Sequence, residues 1–136
     1  MLTFDTTITV YNAVYNTAAG FDDYFRTVVY NCSWNSHIKA VATANGLVYD
    51  RLFKVRVLDS YSASDKQYAP PKAYTDPDAQ YTMPPGTIIL KGEGPPAPTD
   101  GKELAALLAD HDEAFKVLDY HDNRRVGVLH LYAEGR

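Results

Sequence analysis

The chain has 136 residues and a mass of 15.1 kDa, with 46% hydrophobic and 22% charged residues. That is the size and composition of one globular domain, spanning 1–136, and it excludes a wholly disordered chain. One cysteine, Cys32, excludes an internal disulfide framework or a site of several thiolates, and a net charge of -4 with a pI near 5.4 argues against a nucleic-acid binder held by phosphate contacts.

The first residues, Met1-Leu-Thr-Phe-Asp5, lack a basic stretch followed by an apolar run, so no secretory signal is expected. No apolar stretch approaches the about 18 residues that a spanning helix needs. Thr6 to Tyr15 is rich in Thr, Val, Ile and Tyr, with Ile8 and Val10 on one face and Thr7, Thr9 and Tyr11 on the other. Asn16 to Asp23 reads as a turn. Phe25 to Trp34 is a second run, placing Val28, Tyr30, Cys32 and Trp34 on one face and Thr27, Val29, Asn31 and Ser33 on the other. Both runs have the period of two of a half-buried strand. Asn35 to Gly46 is weakly patterned and reads as a connection. Phe53-Lys-Val-Arg-Val57 alternates cleanly, with Phe53, Val55 and Val57 inward.

All eight prolines lie between Pro70 and Pro98. Proline neither donates to a strand ladder nor continues a helix. The stretch from about Ser60 to Pro98 is therefore predicted as mostly loop, extended over 60–86, with one short strand at Thr87-Ile-Ile-Leu-Lys91. One helix is predicted over Asp100 to Ala109, with Asp100 and Glu103 at a capping-box spacing and Leu104, Leu107 and Leu108 on one stripe. Ala114 to Tyr120 and Val126 to Tyr132 form a closing hairpin around His121-Asp-Asn-Arg-Arg125. The fold class is mainly all-β: a small six-stranded barrel or sandwich with one short helix and a long Pro/Tyr-rich loop. Ile8, Val10, Phe53, Val55, Val57, Ile88, Leu118 and Leu129 are the predicted core.

Catalytic chemistry finds little purchase. Cys32 and His37 would need a thiolate within reach of an oriented imidazole, but Cys32 falls on the predicted core face, where a thiol is inert. Asp110-His-Asp-Glu113 gathers possible metal ligands, yet consecutive residues at a helix end point in different directions, and a solvated turn explains them as well. Asp22 and Asp23 lie in a turn with nothing to desolvate them. His130 beside Tyr132 reads as a cross-strand packing partner. Gly92-Glu-Gly94 is followed by prolines rather than the helix that phosphate binding needs. No catalytic residue, cofactor or metal site is assigned. Arg51, Lys54, Arg56 and the pair Arg124-Arg125 read as solvated charges, with a local basic spot at the hairpin tip.

The sharper signal is Tyr61, Tyr68, Tyr74 and Tyr81, spaced six or seven apart through the proline-rich loop. That spacing fits neither helix nor strand, and disordered segments are poor in aromatics, so the loop is expected to order against something. Tyrosine serves equally for partner contact and for packing on its own barrel. If the rings face a partner, changing Tyr68, Tyr74 and Tyr81 together to Ser leaves the monomer folded and abolishes assembly.

The order of elements resembles a known family. Thr6-Thr-Ile-Thr-Val-Tyr11, Phe25-Arg-Thr-Val-Val29, Trp34, Phe53-Lys-Val-Arg-Val57, Pro85-Gly-Thr-Ile-Ile89, Phe115-Lys-Val-Leu-Asp119 and Asp122-Asn-Arg-Arg125 follow in the sequence of the head–tail joining (head-completion or stopper) proteins of long-tailed phages and prophages. The chain is most similar to prophage-encoded minor structural proteins. The resemblance implies a structural virion protein of the neck, not an enzyme, with no cofactor. It would be made in the bacterial cytoplasm and form a ring that closes the portal channel and connects head to tail. Its partners would be neighbouring copies, portal or adaptor and tail proteins, and passing DNA, with no membrane. On this reading Tyr61, Tyr68, Lys72, Tyr74 and Tyr81 contact a neighbour or line the channel, and Asn123, Arg124 and Arg125 touch a neck partner or DNA. A tail-completion subunit capping the tail tube and a monomeric oligonucleotide- or sugar-binding barrel remain alternatives.

Overall fold

The computed structural model describes residues 4–58, 62–98, 101–123 and 130–135. Six strands close into an antiparallel barrel: β1 (Thr6–Asn16), β2 (Phe21–Thr43), β3 (Gly46–Leu58), then, after three short strands, β7 (Ile88–Lys91), β8 (Ala114–Asn123) and β9 (His130–Gly135). Neighbours run β1-β7-β8-β9-β3-β2 and back to β1. The short strands lie in the proline-rich loop: β4 (Ala63–Ser64) edges β2, while β5 (Gln67–Tyr68) and β6 (Gln80–Tyr81) pair in parallel. One helix, α1 (Gly101–Asp110), packs on the outside of the barrel. The predicted fold class and a six-stranded barrel are found, with residues 126–129 of the last predicted strand lying outside the described residues. Asp100, the predicted cap, lies outside the described residues.

Alternation along the strands fills the barrel with Ile8, Val10, Val29, Phe53, Val55, Val57, Ile89, Phe115, Val117 and Leu131. Phe53 and Phe115 stack at 5.4 Å, and Trp34 tilts against Phe115 at 5.5 Å. A second apolar cluster lies on the outer face, where Leu104, Leu107 and Leu108 of α1 cover Tyr11, Ile88 and Leu90. β7 is therefore buried on both faces, and Ile88, expected inside, belongs to the outer cluster while Ile89 points inward.

Two bulges move side chains off their expected faces. Thr6 pairs with Cys32 but Ile8 pairs with Val29, so β2 carries one extra residue between them. Asn31 absorbs it at φ 59, a left-handed conformation that asparagine tolerates better than most residues. The inward set therefore changes from Thr27 and Val29 to Cys32 and Trp34, and Tyr30, expected on the core face, is exposed. In β8 Phe115 and Val117 point inward, so plain alternation turns the expected core residue Leu118 out to solvent, and the register shift between Val117 and Asp119 brings Tyr120 against the barrel cluster. Leu129 lies outside the described residues.

The closing hairpin is also longer than predicted. His121, Asp122 and Asn123 pair with Tyr132, Leu131 and His130, so they extend β8 rather than form the tip. Cross-strand pairing outweighs the turn preference of Asp and Asn. At the other end Gly135 pairs with both Phe53 and Val117, closing the seam. A Cβ there would lie 2.0 Å from the Lys116 carbonyl oxygen, so only glycine permits that approach.

Candidate functional site

The residues singled out for chemistry are separated by the fold. Cys32 is fully buried inside the barrel, where burial pushes its thiol up to about 12 and Ser62 offsets this only partly. Its thiol faces the Val29 carbonyl at 3.8 Å, while His37 is exposed five residues further along β2. An odd separation in a strand places the two on opposite faces. In the acidic turn after α1, Glu113 accepts a 2.7 Å hydrogen bond from Trp34 Nε1 and lies 3.9 Å from Arg51. His111 Nδ1 instead shares a 2.8 Å hydrogen bond with the Leu107 carbonyl. Among the described residues no three His, Cys, Asp or Glu side chains gather to hold a metal ion. Arg56 lies 4.9 Å from the centre of the Tyr132 ring, which also faces His121 at 5.9 Å.

The Gly92–Pro95 segment is strapped to the outside of β1. Thr9 Oγ1 donates to the Gly92 carbonyl at 2.7 Å and accepts from the Gly94 amide at 2.8 Å. Tyr11 donates to the Pro95 carbonyl, and Arg26 Nε donates to that of Gly94. The polar groups that a phosphate loop would offer are already engaged.

The tyrosine loop is ordered on its own barrel. Tyr81 is buried with Met83 in the barrel cluster, and Tyr68 packs edge-on to Tyr81 at 5.7 Å and stacks on Tyr120 at 6.3 Å. Asn12 clasps the returning segment, donating to the Thr82 carbonyl at 2.6 Å and accepting from the Thr82 amide at 3.2 Å. Gln80 Oε1 accepts from the Thr75 and Asp76 amides, which holds the turn beyond. Tyr74 is half-buried beside a 220 Å³ pocket shared with Asn12, Thr82 and Thr87, and Lys72 is exposed on a 3-10 turn (Pro71–Ala73). Burial raises the Tyr74 hydroxyl pKa. Of the two uses open to these rings, Tyr68 and Tyr81 take packing on their own barrel in this chain, with Tyr81 buried and Tyr68 half-buried. Tyr61, Arg124 and Arg125 lie outside the described residues. Asn123 ends β8, and its side chain is likewise outside them.

Among the described residues the exposed large hydrophobics are Leu118 and Tyr30 on the barrel wall and five more on two hairpin arms at the two ends of β2. The first joins Ala13–Asn16 to Phe21–Tyr24. Asn16 fixes its turn by accepting from the Ala18 and Ala19 amides through its side chain and from the Gly20 amide through its carbonyl. The second joins Ser36–Thr43 to Gly46–Phe53 through a two-residue turn. Among the described residues Gly46–Leu52 pairs with β2 alone, so roughly 20 Å of two-stranded ribbon leaves the barrel at about 3.3 Å per residue. Tyr15 (62%) and Phe21 (55%) are exposed on the first arm, and Ile38 (62%), Leu47 (61%) and Val48 (52%) on the second. Ile38, Ala40, Ala42 and Leu47 share the face that continues the barrel interior. A lone two-stranded hairpin is marginal in water, and a clustered apolar face on one marks an interaction surface.

The second arm stands where the sequence predicts a weakly patterned connection at Asn35 to Gly46. Its signal was Asn45-Gly46, a dipeptide typical of tight hairpins, which Gly46 closes at φ 112. A cleft of 290 Å³ lies at the root of the first arm, between it and α1, lined by apolar Ala13, Ile88, Leu104 and Leu108 and by the charged Asp22 and Lys116, among others.

A family model described as a family of unknown function, DUF6751, matches residues 2–136. No curated protein and no solved structure matches the chain.

Proposed function

We propose, for a chain that belongs to the DUF6751 family of unknown function, that it is a structural ring subunit of a phage or prophage neck, where it closes the portal channel and joins head to tail. The observation that carries this reading is a closed barrel that puts uncovered apolar side chains on hairpin arms at both ends of one strand. Burying a side chain such as Ile38, Leu47 or Phe21 is worth roughly 1.5–3 kcal/mol each, which the isolated chain forgoes. A subunit that gains this burial from neighbours on two sides is suited to a ring. The likeness in element order to head–tail joining proteins supplies the setting.

The barrel is the rigid part of this mechanism, and the self-packed tyrosine loop stiffens one side of it. The arms are the contacts. The step is mechanical: ordered copies hold a channel shut and present a surface to the tail. The test is to induce a prophage encoding this chain, purify the particles and locate the protein by immunogold labelling and mass spectrometry. Labelling at the neck is expected. Labelling at the far end of the tail favours a tail-completion subunit instead. Absence from particles, together with saturable binding of short oligonucleotides or glycans by the purified protein, overturns the structural reading.

A further inference from the structure

We infer that the turn of the second arm is a site of spontaneous covalent modification, where Asn45 loses its side-chain ammonia to attack by the Gly46 backbone and becomes aspartate or isoaspartate. The reaction is a property of the purified chain and does not depend on where that chain works.

The step needs a carboxamide carbon, the next backbone amide nitrogen, and freedom for the two to meet. The Gly46 nitrogen attacks Asn45 Cγ, the Cγ–Nδ2 bond breaks, and ammonia leaves with the proton that the attacking nitrogen gives up. The five-membered succinimide so formed takes up one water. Opening at Cγ restores the ordinary backbone with an aspartate side chain. Opening at the Asn45 backbone carbonyl routes the chain through Cγ and gives isoaspartate. No other reactant enters.

Three observations place this chemistry at Asn45. Asn45-Gly46 is the one Asn-Gly pair in the sequence, and both residues are exposed. Glycine puts no side chain in the path of the carboxamide, and at Gly46 (φ 112) the place of a Cβ has no heavy atom within 4 Å. Second, the turn holds the Asn45 backbone but not its carboxamide. Thr43 Oγ1 accepts from the Asn45 amide at 3.3 Å and donates to the Gly46 carbonyl at 2.9 Å, and no described residue bonds the Asn45 side chain. Third, Gly46–Leu52 pairs with β2 alone among the described residues, and a two-stranded ribbon of that kind opens locally at little cost.

Two other asparagines supply the contrast. Asn12 is buried with both ends of its carboxamide on Thr82. Asn16 stands at the turn of the first arm, but its side chain accepts from the Ala18 and Ala19 amides and donates to Asp23, and the β-branched Thr17 follows it.

Either product adds a carboxylate to the arm tip and takes the chain from a net -4 to -5. Isoaspartate also lengthens the backbone of a two-residue turn by one carbon, which unsettles the pairing of Thr43 with Gly46 and of Ala42 with Leu47. On the ring-subunit reading, a copy that waits unassembled therefore acquires a charged and misaligned contact.

The test incubates the purified full chain in mildly alkaline buffer and follows it by ion exchange and peptide mass spectrometry. The tip peptide is expected to exchange its amide for an acid, as aspartate and isoaspartate, ahead of the peptides that hold Asn12 and Asn16. An acidic isoform should grow in step with it, and more slowly in mildly acidic buffer, because the attacking nitrogen must lose its proton. Isoaspartyl methyltransferase should label the product. Asn45→Gln, whose longer side chain closes only a slower six-membered ring, should remove both the acidic isoform and the label, with circular dichroism and thermal melting unchanged. A tip that keeps its amide while a free peptide of residues 40–50 converts in the same buffer overturns the proposal. So does an acidic isoform that persists in Asn45→Gln. Conversion at Asn45 in a protein missing from phage particles supports the site while retiring the neck. Neck labelling with an inert tip retires the site alone.

Discussion

The tyrosine loop (62–84) and the second arm (36–52) both depart from the barrel wall, and they treat their apolar side chains in opposite ways. The loop has almost no regular structure, yet Tyr81 and Met83 end in the barrel cluster and Asn12 ties Thr82 down as a strand partner would. The arm is regular from end to end, yet it leaves Ile38, Leu47 and Val48 to water. The difference lies in where the backbone finds its hydrogen bonds. The arm's two strands satisfy each other and need nothing from the barrel. The loop, broken by prolines, finds its partners by returning to it. Regularity of the backbone is thus a poor guide to which segment is interior.

Substitutions on the two sides of this contrast should separate cleanly. Phe115→Ala, in the ring stack that fills the barrel, should cost about 3–5 kcal/mol in urea unfolding. Tyr81→Ser should cost roughly 3 kcal/mol by the same measurement, because it opens a cavity in that cluster. The combined Tyr68, Tyr74 and Tyr81 change to Ser is therefore expected to unfold the monomer rather than spare it. Asn12→Ala leaves the Thr82 carbonyl and amide without their clasp. It should cost about 1–3 kcal/mol and speed hydrogen exchange through 67–83 while the arm is unaffected.

The alkaline limb of stability also belongs to the barrel. The Cys32 thiol is raised from 9.0 to about 12 by burial, and the Tyr132 hydroxyl from 10.0 to about 12 by burial and by the Glu134 carboxylate beside it. Both groups stay protonated in the folded chain after the unfolded chain has released its protons. Their contribution is therefore complete below about pH 9 and is lost as pH rises toward 12. Unfolding titrations between pH 8 and 11 should show this decline, and a thiol reagent at pH 8 should react with Cys32 only on unfolding. Leu47→Ser, on the arm, should move monomer stability by less than about 0.5 kcal/mol.

Much of the barrel was legible because its signals are local. The alternation at Phe53–Val57, the strand framed by prolines at Ile88–Lys91 and the leucine stripe of α1 each depend on a few neighbouring residues. Period-two counting failed at Asn31, where one residue is added, because a bulge leaves no mark on composition, whereas Leu118 faces out by the alternation that Phe115 and Val117 set. The arm was missed because its alanines carry little pattern, although Asn45-Gly46 announced its turn. The sequence leaves open whether Tyr68 and Tyr81 turn to the barrel or to a partner, because the Asn12 clasp that holds Thr82 is contributed from 70 residues away in the chain.

β2 is a single strand of 23 residues, bulged at Asn31, that runs from the tip of one arm to the tip of the other. A tug applied at the Asn45 turn runs along its covalent bonds to the Gly20 turn without crossing a loop. The ladders that hold β2 to β1 and β3 lie along that line, so tension shears their hydrogen bonds together instead of peeling them one at a time. Stiffness under strain then comes from the strand's length, and the barrel serves as the sleeve that holds it on both sides of the Asn31 bulge.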